Sequence, residues 1–179
     1  MHESLDSVVI RRAIISDADT LARFAEQIFR DTFGPHNSVE DMNHYVATAF
    51  GAAYQEADIV DPAGVVFIAE SQGSIVGYAQ VLHDRVRDDL DATSPVELKR
   101  FYVARAFHGL GLAQRLMDRV LAYAAECSAD VVWLAVFANN PRALSFYRKF
   151  GFVEIATQLF LLGGDAQTDI VMRRATSSI

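Results

Sequence analysis

The feature that most restricts the fold is an alternation of strands and helices in the second half of the chain. A strand-like segment, Val96–Val103, precedes an amphipathic helix at about Gly109–Ser128, whose apolar residues form one stripe. A continuous apolar run typical of a buried strand, Val131–Val136, precedes a further helix that begins at Pro141 and stops at Gly151. Two strands joined through a helix pair in parallel, so this unit predicts an α/β fold.

The rest of the chain adds strands and helices of the same short lengths. The further predicted strands are Val8–Ile14, Val65–Glu70, Ser74–Val81, Phe152–Leu162 and Thr168–Arg173, and the further helices run from Ser16 to Phe33 and from Ser38 to Ala53. Gly34-Pro35 separates these two helices, His83–Pro95 is a polar loop, and a GGD turn precedes Thr168. We therefore expect one domain, residues 1–179, with a mixed sheet of about seven strands, flanking helices and a frayed C-terminus.

Composition excludes several classes of function. The net charge of −7 argues against a nucleic-acid partner, which would need clustered Lys and Arg. No apolar run approaches the ~20 residues that cross a bilayer, and MHESLDS does not resemble a secretory signal. The lone Cys127 fits a reducing, cytoplasmic compartment. The sequence is compatible with a homodimer but does not specify the oligomeric state.

Small residues surround the start of the helix after Val103. Gly109, Gly111 and Ala113 let a backbone approach a ligand closely, and the first N–H groups of a helix have no intrahelical acceptor. Together they favour an anion such as a diphosphate. A P-loop is excluded because no Gly-Lys-Ser/Thr follows, and a dinucleotide fingerprint because Gln114 stands where a small residue is needed. The alternative, that this glycine-rich helix start binds no ligand, stays open.

A second informative segment is VVWLAVFANNPRALSFYRKFGFVEI, a buried strand, a turn, a helix and another strand. By spacing alone, its aromatic residues could equally belong to the core. Together, the two segments resemble the GNAT superfamily of N-acetyltransferases. The diphosphate motif of that family, Gln/Arg-x-x-Gly-x-Gly/Ala, is matched at Gly111 and Ala113, with His108 in place of Gln or Arg. Its later motif, N-x-x-A-x-x-[FL]-Y-x-x-x-G-F, is matched by Asn140, Ala143, Phe146, Tyr147, Gly151 and Phe152.

The resemblance implies acetyl-CoA as co-substrate and a sheet whose fourth and fifth strands, Val96–Val103 and Val131–Val136, splay apart. The pantetheine arm would enter this gap and pair with the backbone near Phe101–Val103, and Asn140 would hydrogen-bond it. Lys149 would reach a phosphate, or else is a surface lysine. The implied coenzyme-binding residues are Phe101, Tyr102, Val103, His108, Gly109, Leu110, Gly111, Leu112, Ala113, Asn140 and Lys149.

The reaction needs a neutral amine, because an alkylammonium with a pKa near ~10.4 has no lone pair for attack. Glu97, six residues before Val103, matches the glutamate that acts as base in the family, with an exposed strand glutamate as the alternative. Tyr147 matches the family's acid, which protonates the leaving thiolate, and the N–H of Val103 would bind the oxyanion. No metal is expected, since His2, His36, His44, His83 and His108 lack metal-ligand spacing.

The acceptor is the least specified part of the prediction. The segments ELKRFYV, FYRKFGFV and GDAQTDIVM together resemble the PaiA-type spermidine/spermine acetyltransferases, which implies a polyamine acceptor. Seven carboxylates could attract such a cation or could be ordinary surface charges: Asp31, Glu40, Asp41, Asp84, Asp88, Asp89 and Asp91. A protein N-terminus, a lysine side chain, an aminoglycoside, or a role as a non-catalytic acyl-CoA sensor are the alternatives.

Overall fold

The structure is a computed structural model that describes residues 5–34, 38–162 and 165–176. Within these ranges the chain forms seven strands and five helices, besides short 3-10 turns. The strands are β1 (Val8–Arg12), β2 (Gly64–Ser71), β3 (Ser74–His83), β4 (Pro95–Val103), β5 (Val131–Phe137), β6 (Val153–Leu162) and β7 (Asp165–Ala175). The helices are α1 (Ala18–Phe33), α2 (Val39–Ala49), α3 (Ala52–Val60), α4 (Leu112–Glu126) and α5 (Pro141–Lys149).

All seven strands lie in one sheet with the order β1-β2-β3-β4-β5-β7-β6. β4 and β5 pair in parallel, whereas every other neighbouring pair of strands is antiparallel. The predicted mixed α/β sheet and its parallel pair are therefore confirmed. The predicted end of the first helix at Gly34 is confirmed, since α1 ends at Phe33 with Gly34 as its C-cap and α2 begins at Val39. Pro35, Gly163, Gly164 and the last three residues, 177–179, lie outside the described residues, so the role of Pro35, the turn before β7 and the fraying stay predictions.

The two faces of the sheet carry separate hydrophobic cores. On one face, which we call the α4 face, Leu116, Met117 and Val120 of α4 pack against strand residues such as Phe67 and Leu134. On the opposite α1 face, helices α1 and α2 cover a second set of strand side chains: Val66, Ile68 and Tyr78. Because successive side chains of a strand point to opposite faces, neighbouring residues of β4 and β5 can line both the α4 face and the α1 face.

The predicted helix Ser38–Ala53 is wrong in its second half. Its apolar periodicity continues through Phe50, but Phe50 and Gly51 have extended backbones, with φ/ψ of −134°/96° and −146°/159°. A separate helix, α3, begins at Ala52 and packs beside α1. The chain breaks here because Phe50 turns its ring into the core of the α1 face.

Other predicted boundaries shift by a few residues. β1 ends at Arg12 rather than Ile14, because Asp17 accepts a hydrogen bond from the backbone N–H of Ile14 and starts the turn into α1. The predicted loop His83–Pro95 is confirmed over residues 84–94, whereas His83 belongs to β3 and Pro95 to β4. Leu90 within this loop is fully buried. None of the helices in the described ranges combines the length and apolar character needed to span a membrane.

Candidate active site

The central feature of the site is a gap between β4 and β5. The two strands pair only at their beginnings, where Pro95, Val96 and Glu97 face Val131, Val132 and Trp133. Beyond Glu97, β4 continues to Val103 beside β3, while β5 continues to Phe137 beside β7. The predicted splay of these strands is therefore confirmed, and one edge of β4 from Leu98 to Val103 is not paired with β5.

Backbone groups of Phe101 and Val103 face this gap. The N–H of Ala104 bonds to the carbonyl of Val76 at 2.8 Å, and Tyr102 lies opposite Tyr78 in the same ladder. Because backbone groups of successive residues alternate between the two edges of an antiparallel strand, those of Phe101 and Val103 point away from β3. Tyr102 differs from its neighbours: its backbone belongs to the ladder with β3, and its ring stacks on Tyr78 at 5.5 Å on the α1 face.

The turn that follows β4 presents a helix N-terminus at the end of the gap. Gly109 and Gly111 have φ values of +80° and +97°, which only glycine adopts without strain, and Gly111 is the N-cap of α4. The N–H groups of Leu112 and Ala113 lie in the first helical turn, where no intrahelical acceptor exists. The Leu112 side chain is fully buried, whereas Leu110 is exposed. The buried leucine fixes the turn, and the helix dipole makes it suitable for an anion.

His108 connects this turn to the end of β4. Its Nε2 donates to the carbonyl of Val103 at 2.8 Å, and its Nδ1 accepts from Arg142 of α5. Burial, together with the nearby Arg142 and Arg105, lowers the pKa of His108 and outweighs the bond to Val103. The imidazole is therefore neutral at physiological pH. Arg142 was not among the predicted site residues, since it contacts the motif only through a residue 34 positions earlier.

Tyr147 lies on the α4 face, between β4 and α5. Its ring packs edge-on against Phe101 of β4 at 6.3 Å and against Phe152 at 5.8 Å, and only 7% of the residue is exposed. Burial raises the pKa of the hydroxyl above its ordinary value. Tyr147 is thus a protonated donor at neutral pH.

Glu97 occupies the last paired position before the strands separate. Its neighbours Val96 and Leu98 belong to the core of the α4 face, so its side chain points to the α1 face. The segment after β3 covers this region, because Trp133 donates from Nε1 to the carbonyl of Arg85 at 2.8 Å. Burial raises the pKa of Glu97 above its ordinary value, although Lys99, Arg85 and Arg87 oppose the shift. A carboxylate with a raised pKa is a better base.

The remaining predicted residues have local structural partners or lie at the surface. Asn140 is the N-cap of α5, and its Oδ1 accepts from the N–H of Ala143 at 3.1 Å, so its amide N–H groups are not used by this cap. Lys149 is exposed at the end of α5. Among the seven carboxylates, Asp31, Asp41 and Asp89 interact with Gln27, Ser38 and Arg87 respectively, which favours the surface interpretation for these three.

Two charged side chains on the α1 face were missed by sequence reasoning. Asp169 of β7 lies opposite Phe137, and burial raises the pKa of its carboxyl. Arg100 lies under the end of α2, with its guanidinium 4.6 Å from the centre of the Phe50 ring. Within the described residues, no group of three His, Cys, Asp or Glu side chains could hold a metal ion, and His2 and His36 lie outside that part of the chain.

Comparison with known proteins supports the same arrangement. Residues 23–152 match the model of the Acetyltransferase (GNAT) family. An uncharacterized N-acetyltransferase of Mycobacterium tuberculosis is 36% identical over 160 residues, which are 89% of this chain and 98% of that protein. The spermine/spermidine N(1)-acetyltransferase of Bacillus subtilis is 26% identical over 99 residues, which are 55% of this chain and 62% of that protein. A crystal structure of the PaiA N-acetyltransferase from Thermoplasma acidophilum, in complex with coenzyme A, superposes with a TM-score of 0.78 at 19% identity and covers 94% of this chain and 99% of that chain.

Proposed function

This chain belongs to the GNAT acetyltransferase family and is an acetyl-CoA-dependent N-acetyltransferase, and we propose that its acceptor is a polyamine such as spermidine or spermine. The observation that supports acetyl-CoA as the donor is the open edge of β4, which is followed by the N-terminus of α4. This edge and this helix start form one continuous backbone surface, to which an extended arm with an anionic end is complementary. The acceptor proposal depends instead on the carboxylates of the α1 face, Glu97 and Asp169.

The residues present fit acetyl-CoA, which supplies the acetyl group as a thioester. The backbone N–H and carbonyl of Phe101 are available to pair with the amides of the pantetheine arm, whereas the carbonyl of Val103 already accepts from His108. The N–H groups of Leu112 and Ala113, in the first turn of α4, have no intrahelical acceptor and are available to the diphosphate. The amide N–H groups of Asn140 would donate to the arm while its Oδ1 caps α5.

Glu97 would accept the proton from the ammonium form of the acceptor, directly or through water. Its side chain points to the α1 face, opposite the α4 face that contains Tyr147, so acceptor and coenzyme would approach the gap from different sides. The raised pKa of Glu97 is closer to the pKa of the amine than that of an ordinary glutamate, which makes proton transfer less unfavourable. Positioned proton transfer of this kind contributes roughly 10²–10⁴-fold to a rate.

Tyr147 would donate its proton to the departing sulfur. A buried hydroxyl with a raised pKa stays protonated until a stronger base, such as a thiolate, develops beside it. The N–H of Val103 faces the gap and would donate to the carbonyl oxygen as negative charge develops there. Transfer is direct, so neither a nucleophilic cysteine nor a metal ion is required.

A polyamine acceptor is supported by the carboxylates of the α1 face. Glu97 and Asp169 both point to this face, and burial raises the pKa of each, so a cationic ligand would relieve the cost of ionising them. Arg100 lies on the same face, but it donates to the carbonyl of Ala49 at 3.5 Å and packs on Phe50, beneath the end of α2. The net charge of −7 adds long-range attraction for a polycation.

A cytoplasmic location is part of the same proposal. Cys127 is a free thiol, as expected for a protein that stays in a reducing compartment. Acetyl-CoA and free polyamines would both have to be present in the compartment where the protein acts. Fractionation of cells that express a tagged chain tests this point.

The proposal is tested with a panel of amines at fixed acetyl-CoA concentration. Spermidine, spermine, a lysine peptide, a peptide with a free N-terminus and an aminoglycoside are each incubated with the protein, and thiol release and product mass are measured. We expect spermidine or spermine to give the highest kcat/KM. A higher kcat/KM for another amine would show that the acceptor belongs to the class of that amine instead. Absence of turnover with every amine, while acetyl-CoA still raises the melting temperature, would favour the acyl-CoA sensor instead.

A further inference from the structure

His108 stands where the family motif has Gln or Arg, and both of its ring nitrogens are already used within the protein. Nε2 donates to the carbonyl of Val103, and Nδ1 accepts from the guanidinium of Arg142. An arginine can only donate, so Nδ1 carries no proton and the imidazole is neutral. His108 thus contributes no charge to the turn in front of α4.

Arg142 brings a cation to the same place from a different helix. It lies in the first turn of α5, on the exposed surface, and contacts the turn through His108. A guanidinium has five N–H donors, so bonding to one imidazole nitrogen leaves most of its capacity for a planar anion such as a phosphate. Lys149, by comparison, lies two turns further along α5, about 10 Å away along the helix axis.

The position of Arg142 is unfavourable for the folded protein by itself. Cations are disfavoured in the first turn of a helix because the helix dipole is positive there. Arg105 adds a second positive charge close to His108. Among the described residues, no carboxylate forms an ion pair with Arg142. Together with the N–H groups that open α4, this guanidinium makes a bound anion favourable here.

We propose that Arg142 binds the diphosphate of acetyl-CoA, and that it supplies from α5 the charge that the motif lacks at His108. His108 is then a positioning residue, which holds the guanidinium beside the N-terminus of α4. This inference rests on the proposed binding of the coenzyme but not on the identity of the acceptor amine.

The test is calorimetric binding of coenzyme A and of pantetheine, which lacks the diphosphate, to the full chain. Arg142→Met should weaken coenzyme A binding by about 10-fold to 100-fold, the effect of one charge-assisted hydrogen-bond donor, and should leave pantetheine binding unchanged. Arg148→Met is the matched control, because Arg148 lies on the same helix but pairs with Glu154. It should bind both ligands like the parent. His108→Arg in the Arg142→Met background should restore affinity for coenzyme A.

Three outcomes would overturn the assignment: parent affinity of Arg142→Met for coenzyme A, equal losses for coenzyme A and pantetheine, or no restoration by His108→Arg. A thermal melt of each variant shows whether a loss of affinity comes from unfolding, and Arg142→Met should melt no earlier than the parent. If the parent binds coenzyme A but acetylates no polyamine, the acceptor proposal fails while Arg142 is still tested. If the parent does not bind coenzyme A, both proposals fail.

Discussion

Substitution of Gly111 tests whether the backbone of the turn before α4 binds the diphosphate. Gly111 has φ +97° and ψ 0°, a left-handed conformation that costs a residue with a side chain roughly 1–2 kcal/mol. Among the described residues, an added Cβ would meet only Cδ1 of Leu5, at 3.4 Å, which is the end of a flexible side chain. The penalty for alanine at this position is therefore conformational rather than steric.

This penalty can appear either in the stability of the protein or in its affinity for the coenzyme. If the turn of Gly111→Ala keeps its conformation, the free energy of unfolding falls by about 1–2 kcal/mol and coenzyme affinity is unchanged. If the turn relaxes, stability recovers, but binding must restore the strained conformation and weakens by up to about 5–30-fold. We expect a mixture, in which the stability loss and the binding loss together equal the strain.

The assays are urea unfolding and calorimetric titration with acetyl-CoA, applied to a graded series. Gly111→Asn should be milder than Gly111→Ala, because asparagine tolerates this region, whereas the β-branched Gly111→Val should be the most severe and should block coenzyme binding. Gly73→Ala is the control: Gly73 has φ +76° and no described atom near its Cβ position, but it lies in the turn between β2 and β3, outside the coenzyme motifs. It should lose stability and retain its affinity for acetyl-CoA. Normal acetyl-CoA binding by Gly111→Val would refute the role of this turn.

Substitutions at three further residues, Tyr147, Glu97 and Asn140, address the rest of the site. Tyr147→Phe keeps the ring packing and should lower kcat by about 10²-fold with little change in acetyl-CoA affinity; an unaltered rate would remove Tyr147 as the acid. Burial raises the pKa of Glu97, so its contribution to stability is present at low pH and lost as the pH rises through that pKa. In urea titrations, Glu97→Gln should therefore gain stability relative to the parent as the pH rises. Its acetylation rate should be lower than that of the parent at low pH, and the difference should disappear at high pH, where free amine accumulates. A pH–rate profile like that of the parent would assign the base to another group. Asn140→Asp preserves the cap on Ala143, so it should change the free energy of unfolding by less than about 0.5 kcal/mol while weakening acetyl-CoA binding. Asn140→Ala should weaken acetyl-CoA binding and also lose about 1 kcal/mol of stability, because it removes the cap. Equal acetyl-CoA affinity of Asn140→Asp and the parent would leave Asn140 a purely structural residue.

The sheet could be predicted because its strands and helices have local signatures. Val131–Phe137 is apolar throughout, and α4 carries a single apolar stripe, so each element indicates its own type and its buried side. The α2–α3 break was missed because the apolar period continues smoothly through Phe50. Only the packing of its ring against α1, and the guanidinium of Arg100 beneath it, determine that the helix ends there.

The packing of the loop after β3 could not be predicted, for a related reason. Its many charges predict a solvated loop, but Leu90 is fully buried and Arg87 lies over the ring of Trp133 at 5.1 Å. These contacts join parts of the chain that are distant in sequence, and no local pattern indicates them. Arg142 was missed in the same way, because it comes close to the turn before α4 only through its contact with His108 in the folded protein.

The two halves of the site therefore differ in how much the sequence can specify. In the proposed site, coenzyme binding would depend on backbone: the free edge of β4 and the N–H groups opening α4 follow from the splay of two strands and from a positive φ at Gly111. Any sequence that folds this way presents the same groups, which is why a short motif is sufficient to propose them. The proposed acceptor side would depend on side chains from separate elements, such as Glu97 of β4 and Asp169 of β7, and each can change without disturbing the sheet. A relative at 36% identity can accordingly share the acetyl donor and differ in the amine, so the acceptor has to be measured on this chain itself.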